Sequence, residues 1–115
     1  MSFISFDAPR RRPVPAHLAG EELRDGDVIV AVKNDCDGCE TLLDSDLPSL
    51  TKRRVFFVAR DALLGHDEVV VDPTFLDAAD VKWPPFVIVV GGEPLEVVNE
   101  CVPFGPQHLI ETLGL

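Results

Sequence analysis

Four short stretches of the chain, DVIVAV, RVFFVA, EVVVD and FVIVV, are apolar almost without interruption. Such runs belong to a globular protein, and Val28–Val32, rich in β-branched residues and apolar throughout, predicts a strand buried on both faces. Val28–Val32 reads as a central strand and Val55–Ala59 as its neighbour, with EVVVDP a further short strand. Phe86–Val90 and Leu95–Val98, separated by Gly91-Gly92, predict two strands joined by a tight turn. Phe3–Phe6 reads as an edge strand and Pro9–Pro15 as a stiff, extended connection.

Between these runs the pattern becomes helical. AHLAGEELRDG combines helix formers with a glycine where a C-cap belongs, and CDGCETLLD predicts a helix that ends before Pro48. A short helical piece is expected at Asp61–Leu64, stopping at Gly65, and a one-sided helix at Phe75–Val81. GPQHLIETLGL places proline near the first helical position and Leu109 and Leu113 on one face, which predicts a C-terminal helix. Strands alternating with helices in this way predict an α/β domain, its sheet parallel apart from the antiparallel hairpin.

The 115 residues suit one domain, 1–115, with 1–20 a partly extended N-terminal segment. Ten basic against 20 acidic side chains leave a net charge of −10, which repels phosphate backbones and argues against nucleic acid as a partner. No apolar run approaches the roughly 20 residues of a membrane span, and no signal-like apolar segment follows the N-terminal arginines. A cytoplasmic protein without a membrane partner is the expectation. Three cysteines are too few for a disulfide framework.

The chemistry concentrates in NDCDGCE, where Cys36 and Cys39 stand at the C-x-x-C spacing among Asp35, Asp37 and Glu40. Such a pair can cycle as a dithiol, hold a metal or lie inert. A closed zinc site needs four ligands, which only a long-range gathering of Cys36, Cys39, Cys101 and one of His17, His66 or His108 would supply, so no metal is assigned. The segment also lacks the alternating oxygens and distal glutamate of a calcium loop. For redox work, a thiolate must be stabilised, and the first turn of a helix does this with unpaired N–H groups and a positive dipole end. Cys36, on the entering side, reads as the exposed nucleophile. The i, i+3 spacing puts Cys39 on the same face as the resolving thiol.

Four features at these separations resemble the thioredoxin fold: Cys36-Asp37-Gly38-Cys39 directly after a buried strand, Pro85 before Phe86–Val90, the Gly91-Gly92 hairpin, and the helix from Pro106. The resemblance covers Val28 to Leu115. It implies a three-layer α/β fold, a central mixed sheet flanked by helices, with Pro85 as a cis-proline facing the cysteines. The substrate groove it implies is formed by Pro85, Pro84 and Trp83 with Asp37 and Gly38. It further implies a thiol-disulfide oxidoreductase that reduces protein disulfides, draws electrons from a reductase or another dithiol, and needs no cofactor beyond the redox-active cysteine pair.

Several positions depart from that family. Asp35 stands where a tryptophan is usual, Asp37-Gly38 replaces Gly-Pro, Val30 replaces a buried aspartate, and Arg60 replaces a lysine, free to pair with Asp61 or another surface carboxylate. The acidic residues oppose the helix dipole, which predicts a less acidic Cys36 and a reducing pair; alternatively they select a basic protein partner. The altered centre also leaves open a catalytically weak protein-binding module. Trp83 reads as a groove-rim or core aromatic, Cys101 as a groove neighbour or a small buried hydrophobe, and His108 as a surface or packing residue of the terminal helix.

Overall fold

The structure, a computed structural model, describes residues 10–81 and 83–115. The strand expected at Phe3–Phe6 lies outside the described residues. In chain order the elements are β1 (His17–Leu18), β2 (Glu21–Glu22), β3 (Val28–Ala31), α1 (Asp37–Leu43), α2 (Leu47–Thr51), β4 (Val55–Ala59), β5 (Val70–Val71), α3 (Pro73–Ala78), β6 (Phe86–Gly91), β7 (Glu96–Cys101) and α4 (Pro106–Leu113). Strands β1 and β2 form a small hairpin of their own. The other five form one mixed sheet in the order β5-β4-β3-β6-β7. Strand β3 runs parallel to β4 and antiparallel to β6, and β7 returns antiparallel beside β6.

Alternation along the buried strands divides the core in two. Ile29, Ala31, Val58, Ile88 and Val90 pack with Phe75 and Leu76 of α3 and with Leu18 and Leu23 of the hairpin. Val28, Val30, Val32, Val87 and Val89 pack on the opposite face with Cys39 and Leu42 of α1, Leu47 of α2, and Leu109 and Leu113 of α4. The apolar runs are continuous because both faces of the sheet are covered. This layering is compatible with a thioredoxin-like fold.

The segment before β1 pairs with the start of the free edge of β7. Val97 N donates to Arg12 O at 2.8 Å and Val14 N to Leu95 O at 3.2 Å, while Pro13, which has no N–H, faces Glu96 across an isolated bridge. An edge closed in this way is a poor template for further strands. Arg12 and Glu100 lock it with a 2.8 Å ion pair, their side chains only 12% and 14% exposed. Burial works against ionising Glu100, but the Arg12 guanidinium and the Arg10 N–H outweigh it and hold the carboxyl below its ordinary value.

Three expectations are corrected. AHLAGEELRDG is a hairpin and not a helix: Ala19 (φ 48°) and Gly20 (φ 86°) both adopt the left-handed conformation, and Ala19 N donates to Asp72 Oδ2 at 2.9 Å. Two such residues make the turn that suits strand twist, and Leu18 and Leu23, five apart, never shared a helix face. Asp61–Leu64 is a turn segment, since Ala62 O and Leu64 N bond to the Asn34 side chain rather than continue a helix. The helix expected at Phe75–Val81 starts earlier, at Pro73, because the Asp72 carboxylate accepts the Phe75 N–H at 3.0 Å and caps it. Helix α1 ends before Pro48 as expected, but that proline enters the first turn of an additional helix, α2.

Removing one partner of the Arg12–Glu100 pair strands the other charge with little water. Arg12→Ala is expected to cost about 3 kcal/mol in urea unfolding. Because the folded carboxyl titrates low, its contribution is complete above the ordinary value of 4.5 and is lost as pH falls through the folded value. The wild-type advantage over Glu100→Gln therefore shrinks on acidification.

Candidate functional site

Three loops meet at one end of the sheet because of how β3 is registered. Ala31 lies opposite Phe86, and Val32 N donates to Val58 O at 2.9 Å, so the chain leaving β3 emerges beside the start of β6 and the end of β4. It turns within three residues, with Asp35 at φ 55°, a left-handed conformation that aspartate tolerates better than bulkier side chains. Cys36 follows as the N-cap of α1, extended at φ −137° and ψ 104°, and its Sγ accepts the Cys39 N–H at 3.2 Å. A sulfur acting as cap receives a backbone donor that α1 leaves without an internal acceptor.

Cys36 and Cys39 are joined as a disulfide, with their Cα atoms 5.2 Å apart. The two sulfurs differ in access. Cys39 is completely buried among Val28, Val30, Val32 and Leu42, whereas Cys36 is half-buried at the surface. Of the bonded pair, Cys36 is thus the residue nearer to solvent.

The proline segment approaches the first turn of α1 at Gly38, between the two cysteines in sequence. The Pro84–Pro85 peptide is cis, and both rings are half-buried. A Cβ added to Gly38 would lie 3.3 Å from Pro85 Cγ, so the absent side chain is what lets the first turn of α1 approach the ring. Asp37 and Gly38 are exposed on that turn, and Trp83 is 80% exposed rather than part of the core. A cleft of about 360 Å³ runs between Trp83 and Pro84 on one side and Val32, Asn34, Arg60 and Asp61 on the other. Asn34 ties this rim together, donating to Ala62 O at 3.0 Å and accepting from Leu64 N at 3.3 Å.

The acidic surroundings are less uniform than the sequence implies. Asp35 and Asp37 are exposed, but Glu40 Oε1 lies 3.0 Å from His66 Nε2, and His66 Nδ1 lies 3.4 Å from Glu68. The Glu40 hydrogen bond, aided by Glu68 and opposed by partial burial, raises the His66 pKa above its ordinary value. The pairing spans 26 residues, and no local spacing announces it. Arg60 pairs with Asp77 at 2.6 Å and not with Asp61.

The remaining candidates are accounted for by packing. Cys101 ends β7 opposite Val87, half-buried, and burial pushes its thiol up to about 11. His108 accepts the Phe104 N–H at 3.1 Å through Nδ1, and its ring packs tilted against the Phe104 ring at 4.8 Å between centroids. Among the described residues no three His, Cys, Asp or Glu side chains are grouped to hold a metal ion, and no helix is long and apolar enough to cross a membrane.

Comparison with protein-family models, with curated proteins and with solved structures finds no match. The chain is a small mixed α/β fold whose C-x-x-C cysteines are bonded at a strand-to-helix junction, compatible with a thioredoxin-like fold.

The Gly38–Pro85 approach is directly testable. Gly38→Val would drive its methyl groups into the proline ring and is expected to cost about 1–3 kcal/mol in chemical denaturation. Gly38→Ala, whose single carbon meets the ring at 3.3 Å and whose helix propensity is better, is expected to cost less.

Proposed function

We propose that this chain is a thioredoxin-like thiol-disulfide oxidoreductase that reduces protein disulfides through Cys36 and Cys39. The observation that supports the reading best is the bonded pair itself, with one cysteine half-buried and one fully buried, on a helix turn set against Pro85. In the dithiol form the Cys36 thiolate attacks a substrate disulfide, forming a mixed disulfide and expelling one substrate thiolate. Cys39, deprotonated in turn, attacks Cys36 Sγ and expels the second substrate thiolate. The protein is left in the bonded form, and two electrons from a reductase or another dithiol restore it.

In this reading the groove for an extended substrate is formed by Trp83, Pro84 and Pro85 against Asp37 and Gly38. The two sulfurs supply the chemistry without a bound cofactor, and a reducing compartment such as the cytoplasm suits the direction proposed. Asp35 and Asp37 disfavour a thiolate on Cys36, which makes the disulfide harder to reduce and the dithiol a better reductant.

One observation favours a second reading, a binding module of weak turnover. Val30 is fully buried beside the Cys39 cluster, so that face of β3 offers Cys39 no proton acceptor. Kinetics separate the two readings. A reductase shows multiple-turnover reduction of a protein disulfide that Cys36→Ser abolishes, that Cys39→Ser halts at a trapped mixed disulfide, and that Cys101→Ser leaves unchanged. Equilibration with dithiothreitol is expected to give a potential nearer to about −270 mV than to about −120 mV. A binding module shows no turnover to lose and retains its partner in all three variants.

A further inference from the structure

His66 has no part in the exchange steps above, yet its ring is held between two carboxylates against the helix that carries both sulfurs. The side chain is 17% exposed, with Nε2 3.0 Å from Glu40 Oε1 and Nδ1 3.4 Å from Glu68 Oε2. The loop is held by backbone bonds on each side, His66 N donating to Leu63 O and Val69 N to His66 O. Glu40 directly follows Cys39, and its N–H donates to Cys36 O at 3.0 Å. The carboxylate that His66 touches thus belongs to the turn on which the thiolate must form.

We infer that His66 is a positioning residue that makes the reactivity of Cys36 depend on pH: as imidazolium it offsets Glu40, and as neutral imidazole it leaves Glu40 and Glu68 unopposed beside the cysteine turn. The inference rests on the redox reading above. The charged groups acting on the ring are Glu40 from α1 and Glu68 from its own loop, and the Glu40 hydrogen bond is the strongest influence keeping it protonated above the ordinary 6.5. Asp67, beside it in sequence, is exposed. The oxidised pair carries no charge, so the effect arises once two electrons and a proton have opened the disulfide to a Cys36 thiolate and a Cys39 thiol. Whatever His66 in its charged form contributes to that thiolate, the thiolate must return to His66, because coupling between two sites is reciprocal.

That reciprocity allows a test on the unaltered protein. The imidazole resonances of His66 are titrated by NMR in the oxidised and the reduced chain, and the midpoint is expected at higher pH in the reduced one. In parallel, alkylation of Cys36 by iodoacetamide is followed by peptide mass against pH. Below the His66 midpoint the wild type is expected to react about threefold to tenfold faster than His66→Gln, with the difference vanishing above it. Glu40→Gln, which removes the charge His66 offsets, is expected to react faster than wild type above that midpoint. Equal His66 midpoints in the two redox states, with superimposable alkylation profiles for wild type and His66→Gln, overturn the inference and leave the cysteine cycle standing. Cysteines that fail to cycle in the wild type overturn the functional reading, and this inference with it.

Discussion

The five-stranded sheet is organised around β3, whose side chains are withdrawn from water on both faces. Ile29 and Ala31 belong to one half of the core, and Val28, Val30 and Val32 to the other. A strand in that position cannot slip by one residue without exchanging its two faces, and it is also locked on both sides by β4 and β6. The end of β3 is therefore the most closely determined point of the chain outside the core. Cys36 is reached from it in a few residues, and Pro85 precedes the strand that pairs with it. The meeting of α1 with the proline segment is a consequence of that register, and Gly38 provides the clearance for it.

The cysteine pair sits between opposing influences. The N-terminal turn of α1 offers Cys36 a backbone donor, from Cys39, and a favourable dipole end. Asp35 and Asp37 on the surface act against a thiolate, and the apolar packing of Cys39 acts against a second one. The Glu40 carboxylate that follows the pair is engaged by His66, while Asp35 and Asp37 are exposed on the surface. The centre therefore joins one half-buried cysteine to one fully buried cysteine.

The apolar runs were legible because continuous β-branched stretches have few outcomes in a folded chain: Val28–Val32, Val55–Ala59 and Phe86–Val90 all lie in or at the end of strands, the first fully buried and the other two partly exposed where they begin. The strand-to-helix placement of the cysteines and the proline start of α4 were equally local. The weaker helical signals misled. AHLAGEELRDG has helix formers, but only Leu18 and Leu23 needed burial, and a hairpin buries both against the sheet while Asp72 holds its turn. Around Asp61–Leu64, the Asn34 side chain takes the backbone groups that a helix would have used. In both places a polar residue distant in sequence decided the backbone, overriding modest propensity.

By itself, the amino-acid order determined where the sheet's buried strands lie, that two thiols stand at the mouth of a helix after the central one, and that a proline precedes the strand paired with it. These follow from periodicity and neighbouring residues, which act within a few positions of the chain. The tertiary structure alone decided that Cys39 is fully buried, that Arg60 turns to Asp77, and that His66 reaches Glu40. Such pairings between polar groups carry no periodic signature. They exist only after strand register and loop path have brought the two ends within hydrogen-bonding distance, and register is set by the burial of the whole sheet.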